Sequence, residues 1–381
     1  MHLKNKNYPF LKNNKRLLIF NFKGKNAIFF TNKPAPMKNN SVTIQSMAQS
    51  LGVSVTTISR VLNGLGEQFR ISKKTIELVT VTAHKLNYKP NNIAKGLRLK
   101  KSSTIGLIVP DITNAWFAQL AMGIEKEARK HHYNIFLCNS DDDIKIEKKS
   151  IALLQSWMVD GIIIAPIGLE PEHLIDAKKN GTPLVLIDRI FEGMDLPYIS
   201  SNDFEGALEA NQYLIDNGHK KIVCVQGIVG TSPNNKRVNG YKQALKKNKI
   251  PFDPSLVVGD AFSFNNGYNC AKKISKNLAK TKITAIFSLG NQITLGILKA
   301  LKEEGIRIPE DISIVSFDEQ VYSDLLFTPL STISHMNDNF GDLSIQMLLQ
   351  QMGKSKKAKP KDVVLKSKLI IRDSVKKIAI L

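Results

Sequence analysis

Cysteine is scarce, with Cys138, Cys224 and Cys270 the only three in a chain of 381 residues. Three thiols form no disulfide framework and lack paired metal spacing, so a stapled secreted scaffold and a zinc module are both excluded. They read as ordinary buried thiols of a cytosolic protein. Catalytic signatures are missing too: there is no Walker phosphate loop, no His-Glu-x-x-His and no Gly-x-Ser-x-Gly. Gly64-Leu65-Gly66 lacks the third glycine and preceding strand of a dinucleotide site and reads as a loop between helices. His131 and His132 end a basic helix and read as solvated surface rather than metal ligands. No enzyme, cofactor or metal is expected.

Acidic residues are the other shortage, and their distribution is uneven. The whole chain carries 54 Lys and Arg against 33 Asp and Glu, a formal charge of +21. Residues 1–36 hold eight basic and no acidic residues, and residues 37–101 hold eleven basic against only Glu67 and Glu77. The remaining 280 residues carry 35 basic against 31 acidic. An anion-seeking N-terminal part thus precedes a near-balanced body of the kind that handles small molecules. With 43% hydrophobic residues the chain is globular and long enough for two or three domains.

In the first 36 residues the apolar runs Leu17–Phe20 and Ala27–Phe30 are each broken off by Asn or Lys, short of a signal-peptide core. Two readings are open: a non-native extension before a true start at Met37, or a disordered basic arm. From Thr43 the pattern turns helical, with Ile44, Met47, Ala48 and Leu51 on one stripe and Gly52 ending the helix. Ser54 can cap a second helix that buries Ile58, Val61 and Leu62 and exposes Val55, Thr56, Ser59 and Arg60. Ser72 can cap a third, with Ile76, Val79, Ala83 and Leu86 inside. A helix, a short turn and a helix whose exposed N-terminal positions are Val55, Thr56 and Arg60 suit a major groove. There Arg60 can pair with guanine, Thr56 with a base or phosphate, and Val55 with a thymine methyl group.

Pro90 opens a short helical stretch with Ile93, Ala94 and Leu97 on one side, followed by a linker to Ser103. Beyond it, Ile- and Val-rich runs alternate with helical stretches: Ile105–Val109, Ile135–Cys138, Ile162–Ala165, Leu184–Ile187, then Ile222–Val225, Ala285–Phe287 and Ile312–Val315. This alternation predicts an α/β core of two doubly wound, parallel-sheet lobes. No sequence repeat relates them. The expected division is 1–36, a helix-turn-helix head at 37–89, a hinge at 90–103 and a two-lobed domain at 104–381.

The runs Val42-Thr43-Ile44, Gly52-Val53-Ser54, Ile58-Ser59-Arg60-Val61-Leu62-Asn63 and Leu86-Asn87-Tyr88-Lys89-Pro90-Asn91 resemble the lactose and galactose repressor family of bacterial transcription regulators. So do Ile105-Gly106-Leu107-Ile108-Val109-Pro110-Asp111, Leu186-Ile187-Asp188-Arg189, Ser316-Phe317-Asp318-Glu319 and Leu369-Ile370-Ile371-Arg372-Asp373-Ser374. The resemblance covers nearly everything after Met37. It implies a head on a periplasmic-binding-protein-like core that binds a small effector, commonly a sugar or its phosphate, in a dimer or tetramer. The implied DNA-binding set is Thr43, Ser54, Val55, Thr56, Thr57, Ser59, Arg60, Asn63 and Asn91, with Leu97 as the hinge leucine that wedges into the minor groove. The basic loop Glu67-Gln68-Phe69-Arg70 is longer than the family's.

Ligands of parallel-sheet lobes sit beyond the carboxyl ends of the strands. Those ends present Asp111, Asn114, Ser140, Asp141, Asp188, Arg189 and Asp318. Carboxylates and arginine suit bidentate bonding to vicinal hydroxyls. Family matching adds Arg237 and Phe262. Trp116 and Phe117 are open between cleft and core. Asn291 stands in Gly290-Asn291-Gln292 where the family usually shows Asn-Asp, so one polar ligand is expected to be shifted or lost. The expected function is that of a cytoplasmic, homodimeric repressor of double-stranded operator DNA that responds to a sugar or sugar phosphate, with no membrane partner. A periplasmic-type sugar-binding protein is the rival.

Overall fold

The computed structural model describes residues 15–22, 25–32, 42–88, 101–334, 339–353 and 362–378. The chain divides into two compact units, Met1–Asn91 and Asn92–Leu381. In the first unit β1 (Lys15–Phe22) pairs antiparallel with β2 (Lys25–Asn32), with Lys15 opposite Asn32. Three helices follow: α1 (Ile44–Leu51), α2 (Val55–Leu62) and α3 (Lys73–Lys85). Each begins at a hydroxyl cap that satisfies an otherwise orphaned N–H, from Thr43, Ser54 and Ser72. Gly52 ends α1 in the left-handed conformation at φ 63°. Met47, Ala48, Ile58, Val61, Val79 and Ala83 form the core, flanked by Ile44, Leu51, Leu62 and Ile76. The apolar stripes thus meet as their spacing predicts, except that Leu86 caps α3 and is exposed.

The second unit has two lobes. The first strands and helices are β3 (Thr104–Val109), α4 (Ala115–Lys130), β4 (Asn134–Asn139), α5 (Ile144–Ser156), β5 (Gly161–Ile164), α6 (Glu172–Lys179), β6 (Leu184–Ile187) and β7 (Tyr198–Ser201). The second lobe begins with α7 (Asp203–Asp216) and continues through β8 (Ile222–Val225), α8 (Ser232–Lys247), β9 (Val257–Val258), α9 (Phe264–Thr281), β10 (Ala285–Ser288), α10 (Asn291–Glu303), β11 (Ser313–Phe317) and β12 (Ser331–Ser334). The chain then returns to the first lobe for α11 (Phe340–Met352) and β13 (Val363–Leu365), and crosses once more for β14 (Lys368–Ile370).

The sheet orders are β4-β3-β5-β6-β7-β13 and β9-β8-β10-β11-β12-β14, the same winding in both lobes. All pairs are parallel except β12 with β14. A structural repeat therefore exists where no sequence repeat is detectable. Every residue of β5, β6, β8 and β10 is buried, because helices cover both faces of a parallel sheet. Each fully buried Ile, Leu or Val contributes roughly 1.5–3 kcal/mol. The seven predicted strands are all present. Strands β7, β9, β12, β13 and β14 were not legible, being short, edge-placed or rich in serine, and β1 and β2 correct the reading of residues 1–36 as a disordered arm, the breaks at Asn and Lys having hidden a hairpin. Close approach of two glycines seats α10: a Cβ on Gly267 would lie 1.9 Å from the Ile293 carbonyl oxygen, and one on Gly296 2.0 Å from that of Phe264.

Candidate functional site

The head presents α2 as its candidate reading element. Val55 and Thr56 are exposed and Arg60 is half-buried, one helical turn beyond Thr56 on the same side. Ser59 is a correction: at 8% exposure it faces the core, and Asn63 donates from Nδ2 to the Ser59 carbonyl at 2.6 Å. The residue at i+1 from a core isoleucine lies on the flank of the buried stripe, and here the flank is covered. Thr43, Ser54 and Thr57 are occupied locally. Thr43 and Ser46 form a reciprocal capping box, while the Ser54 Oγ accepts from the Thr57 N–H and lies 2.8 Å from the Thr57 hydroxyl. Arg60 stacks its guanidinium 3.9 Å above the centroid of the Phe69 ring. Asn91 and Leu97 lie outside the described residues.

In the two-lobed unit a cleft of about 400 Å³ opens between the lobes. Nine expected residues line it: Asn114, Trp116, Phe117, Asp188, Arg189, Arg237, Phe262, Asn291 and Asp318. Asp111 and Asp141 do not. Asp111 turns back to accept from the N–H and hydroxyl of Thr113, and Asp141 is exposed, accepting from Asn139. Its neighbour Asp142 reaches inward instead and accepts from Arg189 Nη1 at 2.9 Å. Ser140 is buried and donates to the Val109 carbonyl. Trp116 and Phe117 belong to both alternatives, lining the cleft while packed in the first lobe's core.

Asp188 and Asp318 occupy matching places, each directly after the fourth strand of its lobe. Both adopt positive φ, 64° and 69°, a conformation aspartate tolerates at the tight turn ending a strand. Asp318 accepts from the Asn291 N–H at 3.1 Å, so its carboxylate occupies the positive N-terminus of α10. Next to it, Glu319 holds Arg372 in a bidentate pair at 2.6 and 3.1 Å, which braces the turn. Asn291 remains inside the cleft despite the departure around it, and donates from Nδ2 to Asn114 Oδ1 at 2.8 Å, bridging the lobes. Across the same gap Arg189 lies 5.7 Å from the Phe262 ring. A Cβ on Gly227 would come within 2.4 Å of the Phe262 ring, so only glycine leaves that ring its place.

Arg237 is only 3% exposed. Its Nε and Nη2 donate to Asp203 Oδ1, both at 2.9 Å, and Nη1 donates to the Leu289 carbonyl at 2.7 Å. Asp318 Oδ1 lies 3.8 Å from Nη1, and the guanidinium stacks 4.1 Å from the Phe317 ring. Burial works against its charge, but Asp203, Asp318 and Asp188 outweigh that and hold its pKa above the ordinary arginine value. Asp203 and Asp142 are the functional neighbours that sequence reasoning missed. Asp203 sits at a helix start, where an acidic residue ordinarily serves the helix, and nothing local signals a partner 34 residues on. Among the described residues no cluster of His, Cys, Asp and Glu could hold a metal, and no helix is long and apolar enough to cross a membrane. His131 lies 3.4 Å from Glu127, which also binds Lys130.

A helix-turn-helix head joined to a two-lobed ligand-binding core defines a transcription regulator controlled by a small molecule. Residues 43–91 match the family described as bacterial regulatory proteins, lacI family, and residues 102–373 match the periplasmic binding proteins and sugar binding domain of the LacI family. Catabolite control protein A of Priestia megaterium is 33% identical over 82% of this chain and 93% of its own. The repressor PurR of Pasteurella multocida is 30% identical over 88% and 98%. Among solved structures, the Lac repressor dimer bound to operator and an anti-inducer aligns with TM-score 0.75 and 25% identity over 88% of this chain and 99% of that one. A LacI family regulator from Enterococcus faecium with bound ribose aligns at TM-score 0.64 and 29% identity, over 72% and 100%. The chain belongs to the LacI family: it is a DNA-binding transcription regulator and not an enzyme. The match at 43–91 also disposes of a freestanding sugar-binding protein.

Proposed function

We propose that the chain is a homodimeric, cytoplasmic repressor whose operator affinity is set by an uncharged, hydroxyl-rich effector of the sugar class bound in the interlobe cleft. The charge balance of the cleft carries this reading. Arg189 and Arg237 are the guanidinium groups there, and both are engaged by carboxylates, Asp142 and Asp203. Asp188 and Asp318 add two further negative charges, and Asp318 already occupies the N-terminus of α10. A phosphate would enter a field of four carboxylates against two arginines. Hydroxyls, by contrast, donate to carboxylate oxygens, and the faces of Trp116 and Phe262 suit sugar C–H surfaces. The ribose held by the Enterococcus faecium relative supports the same class.

In this reading Val55, Thr56 and Arg60 read base edges, while Ser54, bonded to Thr57, caps the helix that carries them and Thr43 caps the helix before it. Effector binding shifts the population of open and closed lobes, with the Asn114–Asn291 bridge as the contact it strengthens or replaces. Exposed Val321, Leu325 and Phe327 on the second lobe supply apolar surface for a second copy. The test starts from random duplex DNA, from which the protein selects its site. Operator affinity is then measured with D-ribose, D-glucose, D-galactose and their phosphates. A neutral sugar is expected to change that affinity, and the sign of the change shows whether it releases or promotes binding. A phosphate ester acting where no neutral sugar does would overturn the ligand class, and absence of any selected sequence would overturn the regulatory reading.

A further inference from the structure

We propose that Phe69, outside the reading helix, is a positioning residue that presets Arg60 for base-specific contact. The inference rests on the reading of α2 as the DNA-contacting helix. Phe69 belongs to the loop between α2 and α3, and it is 45% exposed, so its ring is not explained by the core. Its partner is Arg60, whose guanidinium carbon lies 3.9 Å from the ring centroid.

The loop is rigid enough to hold that partnership. The Leu65 N–H donates to the Arg60 carbonyl at 2.9 Å, the Phe69 N–H to the Leu65 carbonyl at 3.1 Å, and the Ile71 N–H to the Gly66 carbonyl at 2.9 Å. Gly66 is buried against Ile76, where a Cβ would lie 2.8 Å from Cδ1, and Ile71 packs on the core. The residue that starts the hydrogen-bonded chain is thus the residue whose side chain the loop covers. A stacked guanidinium gives one face to the ring and keeps its in-plane N–H fork for two acceptors, as guanine O6 and N7 require. Holding a long side chain in one arrangement before DNA arrives removes part of the ordering cost of binding. A basic residue stacked in this way also keeps its charge beside the phosphates, so the contribution falls on base discrimination rather than on the salt-dependent part of affinity.

The experiment measures binding of the parent, Phe69→Ala, Phe69→Leu and Phe69→Tyr to the selected site and to duplexes changed at each base pair. Arg60→Ala identifies the base pair that Arg60 reads. Discrimination at that pair is expected to fall about two- to fivefold in Phe69→Ala and Phe69→Leu, and to be retained in Phe69→Tyr. Other pairs and the salt dependence stay the same, and Phe69→Ala adds nothing at that pair in an Arg60→Ala background. Phe69→Leu keeps apolar bulk on the loop and so separates stacking from loop collapse. Uniform weakening at all base pairs, or an unchanged profile, would overturn the proposal while leaving α2 as the reader. Failure of the parent to prefer any sequence would remove the reading of the head and the proposal with it.

Discussion

Arg237→Met tests the electrostatic design of the cleft most directly. The substitution removes the two donors to Asp203 and the one to Leu289, and leaves Asp203, itself 2% exposed, as a buried carboxylate facing no cation. Breaking a buried pair from one side costs about 3–5 kcal/mol, far above the loss of a neutral hydrogen bond. Asp203→Asn is milder, about 1–3 kcal/mol, because Arg237 keeps the Leu289 carbonyl and lies 3.8 Å from Asp318. Combining Arg237→Met with Asp203→Leu removes both charges, so the double variant should recover part of the loss, with a coupling of about 2 kcal/mol. Equilibrium urea unfolding of the parent, Arg237→Met, Asp203→Leu and the double variant gives the cycle. At temperatures where Arg237→Met stays folded, effector affinity should fall about ten- to a hundredfold while selection of operator sequence persists. A loss below about 1 kcal/mol, or single effects that add within about 0.5 kcal/mol, would refute the argument, since either would mean the pair is hydrated and uncoupled.

Three other outcomes follow from particular contacts. Arg60→Ala should cut discrimination by about 1–3 kcal/mol at one base pair without touching effector binding, as competition binding with single-base operator variants would register. Gly227→Ala should displace the Phe262 ring and weaken the neutral effector severalfold with little change in unfolding midpoint, whereas unchanged affinity in calorimetry would remove Phe262 from the ligand contacts. His219 is fully buried between Thr284 and the Lys376 carbonyl, and burial holds its pKa below the ordinary 6.5. The unfolded chain therefore binds a proton that the folded chain refuses, so stability is full above about pH 6.5 and falls below it, by at most about 1.4 kcal/mol per pH unit, until the lowered folded-state pKa is reached. His219→Gln should flatten that slope in pH-dependent unfolding.

What the sequence determined by itself was local or periodic. The apolar stripes of three short helices, their hydroxyl caps and Gly52 act within a few residues, so the head could be read from spacing alone, and the Ile- and Val-rich runs announced buried parallel strands. Strand-end positions, with Arg237 and Phe262 added by the family resemblance, placed nine of the eleven expected cleft residues at one cavity. Tertiary structure decided the rest. Asp111 and Asp141 follow strands as Asp188 and Asp318 do, yet local hydrogen bonds turn the first two away from the cleft. Ser59 is indistinguishable in type from an exposed helix residue until packing covers it. Asp142 became the counter-charge of Arg189, 47 residues on, because both follow strands of the first lobe, and Asp203 that of Arg237, 34 residues on, because α7 and α8 pack together in the second lobe. The matching of the two lobes is likewise a property of winding order, which many sequences satisfy, since a parallel sheet asks of each strand apolarity and length rather than particular residues.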